Sequence, residues 1–239
     1  MHLLAAFAPT SRIVSVESIN ASNVNDVDAL DVEELSASRF KEIFREIMLN
    51  DDVIVDVGAS NVAAFMTEMT RFKSAVGEFD LVLVPTVPAD KQQRDTVATI
   101  GWLHKLGIDG KRVRVLFNQH PSEGLEPVEV TYAQVAGFAA TDGKGKAVFE
   151  PHAIVAMNEV YELTKSSRKT VMALAQDATD WKAARVEAKR AGDLVALERA
   201  MAGQMAHDLA VTAQENLAEV HALLFPASAP TTAIRSRRA

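Results

Sequence analysis

Val53-Ile54-Val55-Asp56-Val57-Gly58 opens the stretch that decides the fold, and Leu81-Val82-Leu83-Val84-Pro85-Thr86-Val87-Pro88 continues it. Each run is short, rich in β-branched residues and bounded by turn-forming residues, which is typical of buried strands in a parallel sheet. A helical pattern follows each run, over residues 63–72 and 91–106. The sequence therefore predicts strand–helix–strand–helix and an α/β fold, with a mostly parallel sheet flanked by helices.

Asp56 and the Pro-Thr-Val-Pro turn both come at the ends of predicted strands. In open α/β sheets, ligands bind beyond the carboxyl ends of the strands. An acid at the end of an apolar strand, followed by Gly-Ala-Ser, has the form of a Walker-B strand. The alternative interpretation is that Asp56 only caps the next helix, as acids at this position commonly do.

Outside this stretch, the sequence predicts a helix end at residues 2–7, a strand at 12–17 and a helix at 38–48. A further strand runs from 112 to Asn118, which is either a turn residue or a group that contacts a nucleotide base. Residues 21–34 carry five acids and no base, which favours a solvated loop, with a switch-like segment as the alternative.

The carboxyl-terminal part is predicted to be helical from residue 158. A stripe at steps of three and four residues indicates packing on the domain or on a partner; its members are Leu194, Leu197, Met201, Met205 and Leu209. Residues 226–239 contain three arginines and no acid, which predicts a disordered basic tail. The predicted organisation is a nucleotide-binding domain over 1–157, a helical region over 158–225 and the tail.

Composition excludes several classes of function. The net charge of −7 argues against a globally basic nucleic-acid binder. The absence of cysteine excludes disulfides and thiolate chemistry, and it fits the reducing cytoplasm where we expect the protein to act. No apolar run approaches the roughly 20 residues of a membrane span.

Gly143-Lys144-Gly145-Lys146 does not fit the phosphate-binding G-x-x-x-x-G-K-[ST] motif. No G-x-G-x-x-G follows a strand, so dinucleotide binding has no support.

Five pieces of sequence together resemble the StbB family of plasmid stability proteins, within the ParA/MinD-like ATPases that carry a deviant Walker-A motif. They are Val16-Glu17-Ser18-Ile19-Asn20-Ala21, Val53-Ile54-Val55-Asp56-Val57-Gly58-Ala59-Ser60-Asn61, the segment 84–96 (VPTVPADKQQRDT), Phe117-Asn118 and Asn158-Glu159-Val160-Tyr161-Glu162. The similarity extends over residues 2–182, and its longest two pieces are the most specific.

The resemblance implies ATP and Mg²⁺ as cofactors, with Asp56 holding Mg²⁺ through water and Asn118 contacting adenine. Glu17 takes the place of the first acid of a pair that helps to activate water, whereas Ile19 stands where the second acid is found, which puts fast hydrolysis in doubt. Gly58 replaces a usual proline. The family's first strand and its G-x-x-G-K-T-T loop precede a helix like that of residues 2–7, so we expect this chain to lack roughly 20 residues, a strand and a loop.

Two functions follow as expectations. The first is a nucleotide-dependent switch in plasmid maintenance, which acts with a small plasmid-encoded DNA-binding protein, reaches plasmid DNA indirectly and has a homodimer as a candidate assembly. The second is a scaffold or binding module without nucleotide, which acts through the helical carboxyl-terminal half. An unrelated Rossmann-like enzyme is a third and weaker alternative.

Overall fold

The computed structural model describes residues 2–7, 10–17, 32–121, 126–141, 149, 152–167 and 169–226. The first half of the chain alternates strands and helices: α1 (His2–Phe7), β1 (Arg12–Val16), β2 (Val32–Leu35), α2 (Phe40–Leu49), β3 (Val53–Val57), α3 (Val62–Arg71), β4 (Val82–Thr86), α4 (Asp90–Lys105) and β5 (Val113–His120). The second half consists of α5 (Val128–Thr131), α6 (Ala133–Thr141), β6 (Ala153–Ala156), α7 (Val160–Ser167), α8 (Val171–Ala175), α9 (Trp181–Ala191) and α10 (Leu194–Leu224). The predicted α/β class is confirmed.

The strands form two all-parallel sheets of three strands, in the orders β2-β1-β3 and β4-β5-β6. The sequence predicts one mostly parallel sheet, but among the described residues no hydrogen bond joins β3 to β4. Each of these two strands is therefore the last strand of its own sheet. The break falls within the strand–helix–strand unit from which the fold class was predicted.

The break changes the burial of β3. All five residues of β3 are only half-buried, whereas those of β1 after Arg12 are buried. The expectation that β3 is buried on both faces is therefore wrong. Among the described strands, β3 is paired with β1 alone, so no described strand excludes solvent from its other edge.

One hydrophobic cluster packs the helices against both sheets. Val14 and Val16 of β1 share this cluster with Val84 of β4 and with Val115 and Phe117 of β5. Apolar residues of α2 and α3 complete it, among them Phe40, Ile43, Phe65 and Met69. The two sheets consequently belong to one core despite the break between them.

A second cluster joins the carboxyl-terminal helices to the sheet formed by β4, β5 and β6. Leu217 and Val220 of α10 pack with Val155 of β6 and with Leu3 of α1. The side-chain amide of Asn216 also bonds to the free edge of β6: its Nδ2 donates to Ile154 O at 3.0 Å, and its Oδ1 accepts from Ala156 N at 3.0 Å. The end of α10 is thus fixed both to the sheet and to the amino-terminal helix.

Most elements agree with the predictions, including the helical pattern from residue 158 onward. One correction concerns residues 32–34, predicted as loop, which belong to β2 and pair in parallel with β1. Backbone pairing there overrides the low strand propensity of adjacent glutamates. Ile19, the rest of the acidic segment at 18–31, Gly143-Lys144-Gly145-Lys146 and the tail at 227–239 lie outside the described residues. In the part of the chain that is described, no helix is both long and apolar enough to cross a membrane.

Candidate functional site

The register of β1 and β3 determines where the first two candidate residues lie. Ser15 pairs with Asp56 and Val16 with Val57, and Gly58 N donates to Val16 O at 3.1 Å. Because both strands run in the same direction, their carboxyl ends meet at one edge of the sheet. Glu17 leaves β1 at this edge, next to the end of the strand that carries Asp56.

The Glu17 side chain lies directly over the backbone of Gly58. A β-carbon built on Gly58 would lie 2.5 Å from both carboxylate oxygens of Glu17. The φ of Gly58 is −59°, which any residue adopts, so a larger residue here would only require the flexible end of Glu17 to move.

Asp56 is half-buried and, as the cross-strand partner of Ser15, shares a face of the sheet with that buried hydroxyl. It does not cap the following helix: the N-cap residue of α3 is Asn61, and no side-chain cap bond is made there. Among the described residues, neither the Asp56 side chain nor the Glu17 side chain takes part in a hydrogen bond or an ion pair. The helix-cap interpretation of Asp56 is therefore wrong, and its carboxylate is left without a structural partner.

Asn118 lies in the other sheet, and the strand does not end there as predicted. β5 continues to His120, and its pairing with β6 shifts register between Asn118 and His120. Gln119 between them has a φ of 57°, in the left-handed region. This irregularity is a β-bulge, a feature common near binding sites because it re-aims the side chains that follow.

The bulge gives Asn118 a defined orientation. Its Oδ1 accepts from Gln119 N at 3.0 Å, while its backbone carbonyl accepts from the Tyr132 hydroxyl at 3.0 Å. Burial raises the pKa of Tyr132 to about 12, so this hydroxyl stays a donor at neutral pH. The Asn118 Nδ2 donates no hydrogen bond within the described structure. The amide group of Asn118 thus has no protein acceptor among the described residues.

Two further polar groups near these strand ends were not identified from the sequence. Thr86 Oγ1 closes β4 and His120 Nδ1 closes β5; both are buried, and neither has a hydrogen-bond partner among the described residues. The His120 ring stacks on Tyr132 with centroids 5.8 Å apart. A ligand or an ordered water can satisfy such atoms, and the described residues contain others away from these strand ends, among them His104 Nε2 and Trp181 Nε1. The only sequence signal for Thr86 is its place in the Pro-Thr-Val-Pro turn.

Gln93, in the segment 84–96 that also contains Thr86, has a structural role. Gln93 is buried, and its Nε2 donates to Pro88 O at 2.6 Å and to Thr131 O at 3.2 Å. Its Oε1 accepts from Gln134 N at 3.0 Å. One side chain therefore ties the turn after β4 to the α5–α6 connection, and so holds the edge of the sheet in place around Thr86 and Asn118.

The structure thus brings Glu17 next to the end of the Asp56 strand, and it places Asn118 in the other sheet. Within the described ranges, no group of three or more histidine and acidic side chains could hold a metal ion by itself. No protein-family model matches the chain, and no curated protein sequence matches it.

Proposed function

We propose that this chain is a nucleotide-dependent switch in plasmid maintenance, which acts with a small DNA-binding partner protein. The observation that carries the proposal is the register of β1 and β3, which sets Glu17 beside the end of the Asp56 strand. Two carboxylates free of structural partners, at the carboxyl ends of parallel strands, are suited to Mg²⁺-dependent phosphate chemistry. The plasmid context rests on the resemblance to the StbB proteins alone.

The residues present fit part of an ATP site. Asp56 would hold Mg²⁺ through water, Glu17 would lie next to it, and the free Nδ2 of Asn118 would donate to a nitrogen of adenine. Bound Mg²⁺ and ATP would supply the phosphate charge that distinguishes the two states of such a switch. The 239 residues contain no G-x-x-G-K-T-T sequence, however, and this backbone cradle makes most phosphate contacts in such ATPases.

The break between β3 and β4 supports the same proposal. Each sheet ends there in a strand with one unpaired edge. One additional parallel strand would join the orders β2-β1-β3 and β4-β5-β6 into a single sheet. In the resembled family, the strand that leads into the phosphate-binding loop lies beside the Asp56 strand.

Calorimetry with Mg-ATP tests the proposal. We expect no specific binding to the 239-residue chain, and a micromolar dissociation constant would contradict this expectation. A chain extended upstream by a strand and a G-x-x-G-K-T-T loop should bind. In that chain, Asp56→Ala should weaken Mg²⁺-dependent binding tenfold or more. Asp51→Ala, at the exposed turn before β3, is the matched control and should have no effect. Equal affinities of the two variants would exclude Asp56 as a metal ligand.

A scaffold without nucleotide is the second candidate, and it is favoured by the exposed apolar residues of α9 and α10. Val186, Leu194, Val195, Met201 and Met205 are all exposed on these two helices. If the 239-residue chain lowers plasmid loss and Asp56→Ala does so equally well, the scaffold function is supported. If only a nucleotide-binding form is active, the switch is supported.

A further inference from the structure

The two helices α9 and α10 begin as a hairpin that extends from the core. Gly192, in the left-handed conformation with a φ of 69°, ends α9, and the Asp193 carboxylate caps α10 by accepting from Ala196 N at 2.9 Å. Trp181 of α9 packs over Gly203 of α10. The apolar contacts of α10 with the rest of the core begin only at Leu209.

The outer face of α10 in this hairpin is apolar and flanked by acids. Leu194, Met201 and Met205 are 72%, 47% and 63% exposed. At about 100° per residue they form one stripe, which points away from Gly203 and therefore away from α9. Glu198 and Asp208 lie on either side of this stripe. We call this surface the acidic face.

The outer face of α9 has the opposite charge. Val186 is 42% exposed and points away from Trp181 and α10. Lys182, Lys189 and Arg190 surround it, together with one acid, Glu187, and none of the three cations forms an ion pair within the described part of the chain. We call this surface the basic face. The two faces lie on opposite sides of the same hairpin.

We propose that the basic face of one copy docks on the acidic face of a second copy. Val186 would enter the stripe of Leu194, Met201 and Met205, while the three cations would meet Glu198 and Asp208. Asp208 accepts from Gln204 Nε2 at 2.9 Å, and this contact leaves its second carboxylate oxygen available.

A second copy fits both faces better than other partners do. A nucleic acid or an anionic lipid surface would be attracted to the basic face alone, and it would leave the apolar stripe on the opposite, acidic face exposed. A second copy covers both faces with opposite charge and with apolar contact.

The placement of the faces also determines the type of assembly. Because they are different surfaces on opposite sides of the hairpin, the contact is heterologous, and each added copy leaves one face of each kind free. The assembly therefore grows head to tail into a ring or an open chain, rather than closing as a two-fold dimer.

Sedimentation and light scattering over a range of protein concentrations test the proposal. The average mass of the wild type should rise past twice the chain mass of 25.9 kDa. Val186→Asp, on the basic face, and the double variant Met201→Asp/Met205→Asp, on the acidic face, should each remain monomeric. Val130→Asp is the matched control, since Val130 is 61% exposed on α5, outside the hairpin, and it should associate like the wild type.

Mixing gives the decisive result. A mixture of the basic-face and acidic-face variants retains one intact pair of faces, so it should form dimers of one copy of each and nothing larger. Lys189→Glu is a second variant, for use if one of the aspartate substitutions disturbs folding. It changes an exposed residue and leaves the apolar residues intact, and it should weaken association at least tenfold. A wild type that stays monomeric, a variant pair that does not dimerise, or a Val130→Asp protein that loses association would each overturn the proposal. Binding of DNA or anionic vesicles by a protein that stays monomeric would overturn it too.

Discussion

Because Trp181 packs on Gly203, we expect the same glycine-to-alanine substitution to have opposite effects on stability at Gly203 and at Gly101. A β-carbon at Gly203 would lie 2.6 Å from two ring carbons of Trp181, whereas one at Gly101, inside α4, would meet nothing within 4 Å. Glycine-to-alanine in a helix interior stabilises by about 1 kcal/mol. At Gly203 the indole must move by about 1 Å to restore an ordinary carbon–carbon separation.

This movement has a cost that sets the size of the effect. Overpacking by one carbon atom typically costs about 1–3 kcal/mol. Gly203→Ala should therefore be destabilising by up to about 2 kcal/mol, while Gly101→Ala should be stabilising by about 1 kcal/mol. When the change in stability of one variant is subtracted from that of the other, the contribution of helix propensity cancels and the steric cost at Gly203 remains. For a chain of this length, about 1 kcal/mol shifts Tm by roughly 2–4 °C.

Thermal melts followed by circular dichroism would measure both variants. Gly203→Ala should melt at least about 2 °C below Gly101→Ala. In a Trp181→Ala background the two substitutions should have the same stabilising effect, because the indole that opposes the new carbon is gone. If Gly203→Ala raises Tm as much as Gly101→Ala does in the wild-type background, the packing of Trp181 on Gly203 is refuted.

Three further predictions follow from other parts of the fold. Gly58→Ala should be destabilising by less than about 1 kcal/mol, because only the mobile end of Glu17 must move, and Glu17→Ala should abolish this cost; urea titration of the double-mutant cycle checks it. Gln119→Gly should be stabilising by up to about 1 kcal/mol, because it removes the left-handed strain of a residue with a β-carbon, and an unchanged or lower Tm would contradict that account. Burial raises the pKa values of Tyr132 and Tyr161, the only two tyrosines, to about 12. Since unfolded tyrosine ionises near pH 10, the stability from these phenols should be complete below pH 10 and lost between pH 10 and 12; absorbance at 295 nm would follow the ionisation, and titration of the folded protein near pH 10 would exclude it.

Much of the fold was accessible from the sequence, because it depends on local patterns. Helical periodicity located α2, α3 and α4 to within one or two residues, and β-branched runs located β3 and β4. The division into two sheets was not accessible, since strand pairing depends on which edges meet and no local pattern encodes that. The bulge at Gln119 was missed for a related reason: no glycine marks the left-handed residue.

The candidate site was accessible only in part. Position at the end of an apolar strand was enough to select Asp56 and Asn118, and resemblance added Glu17. Sequence could not distinguish a free carboxylate from a helix cap, because that depends on where α3 begins. Thr86 and His120 were missed because an unsatisfied hydrogen bond becomes visible only when the surrounding partners are placed.

The amide of Asn216 has a consequence for the behaviour of the protein in a crowded cell. By donating to Ile154 O and accepting from Ala156 N, it occupies two backbone groups that an incoming strand would use. A helix side chain thus occupies part of the outer border of the sheet and hinders the strand-by-strand growth that leads to aggregates. On β4, Thr96 Oγ1 of the following helix donates to Pro85 O at 3.4 Å in a similar way. At β6 the molecule therefore blocks part of a sheet border with a side chain of its own.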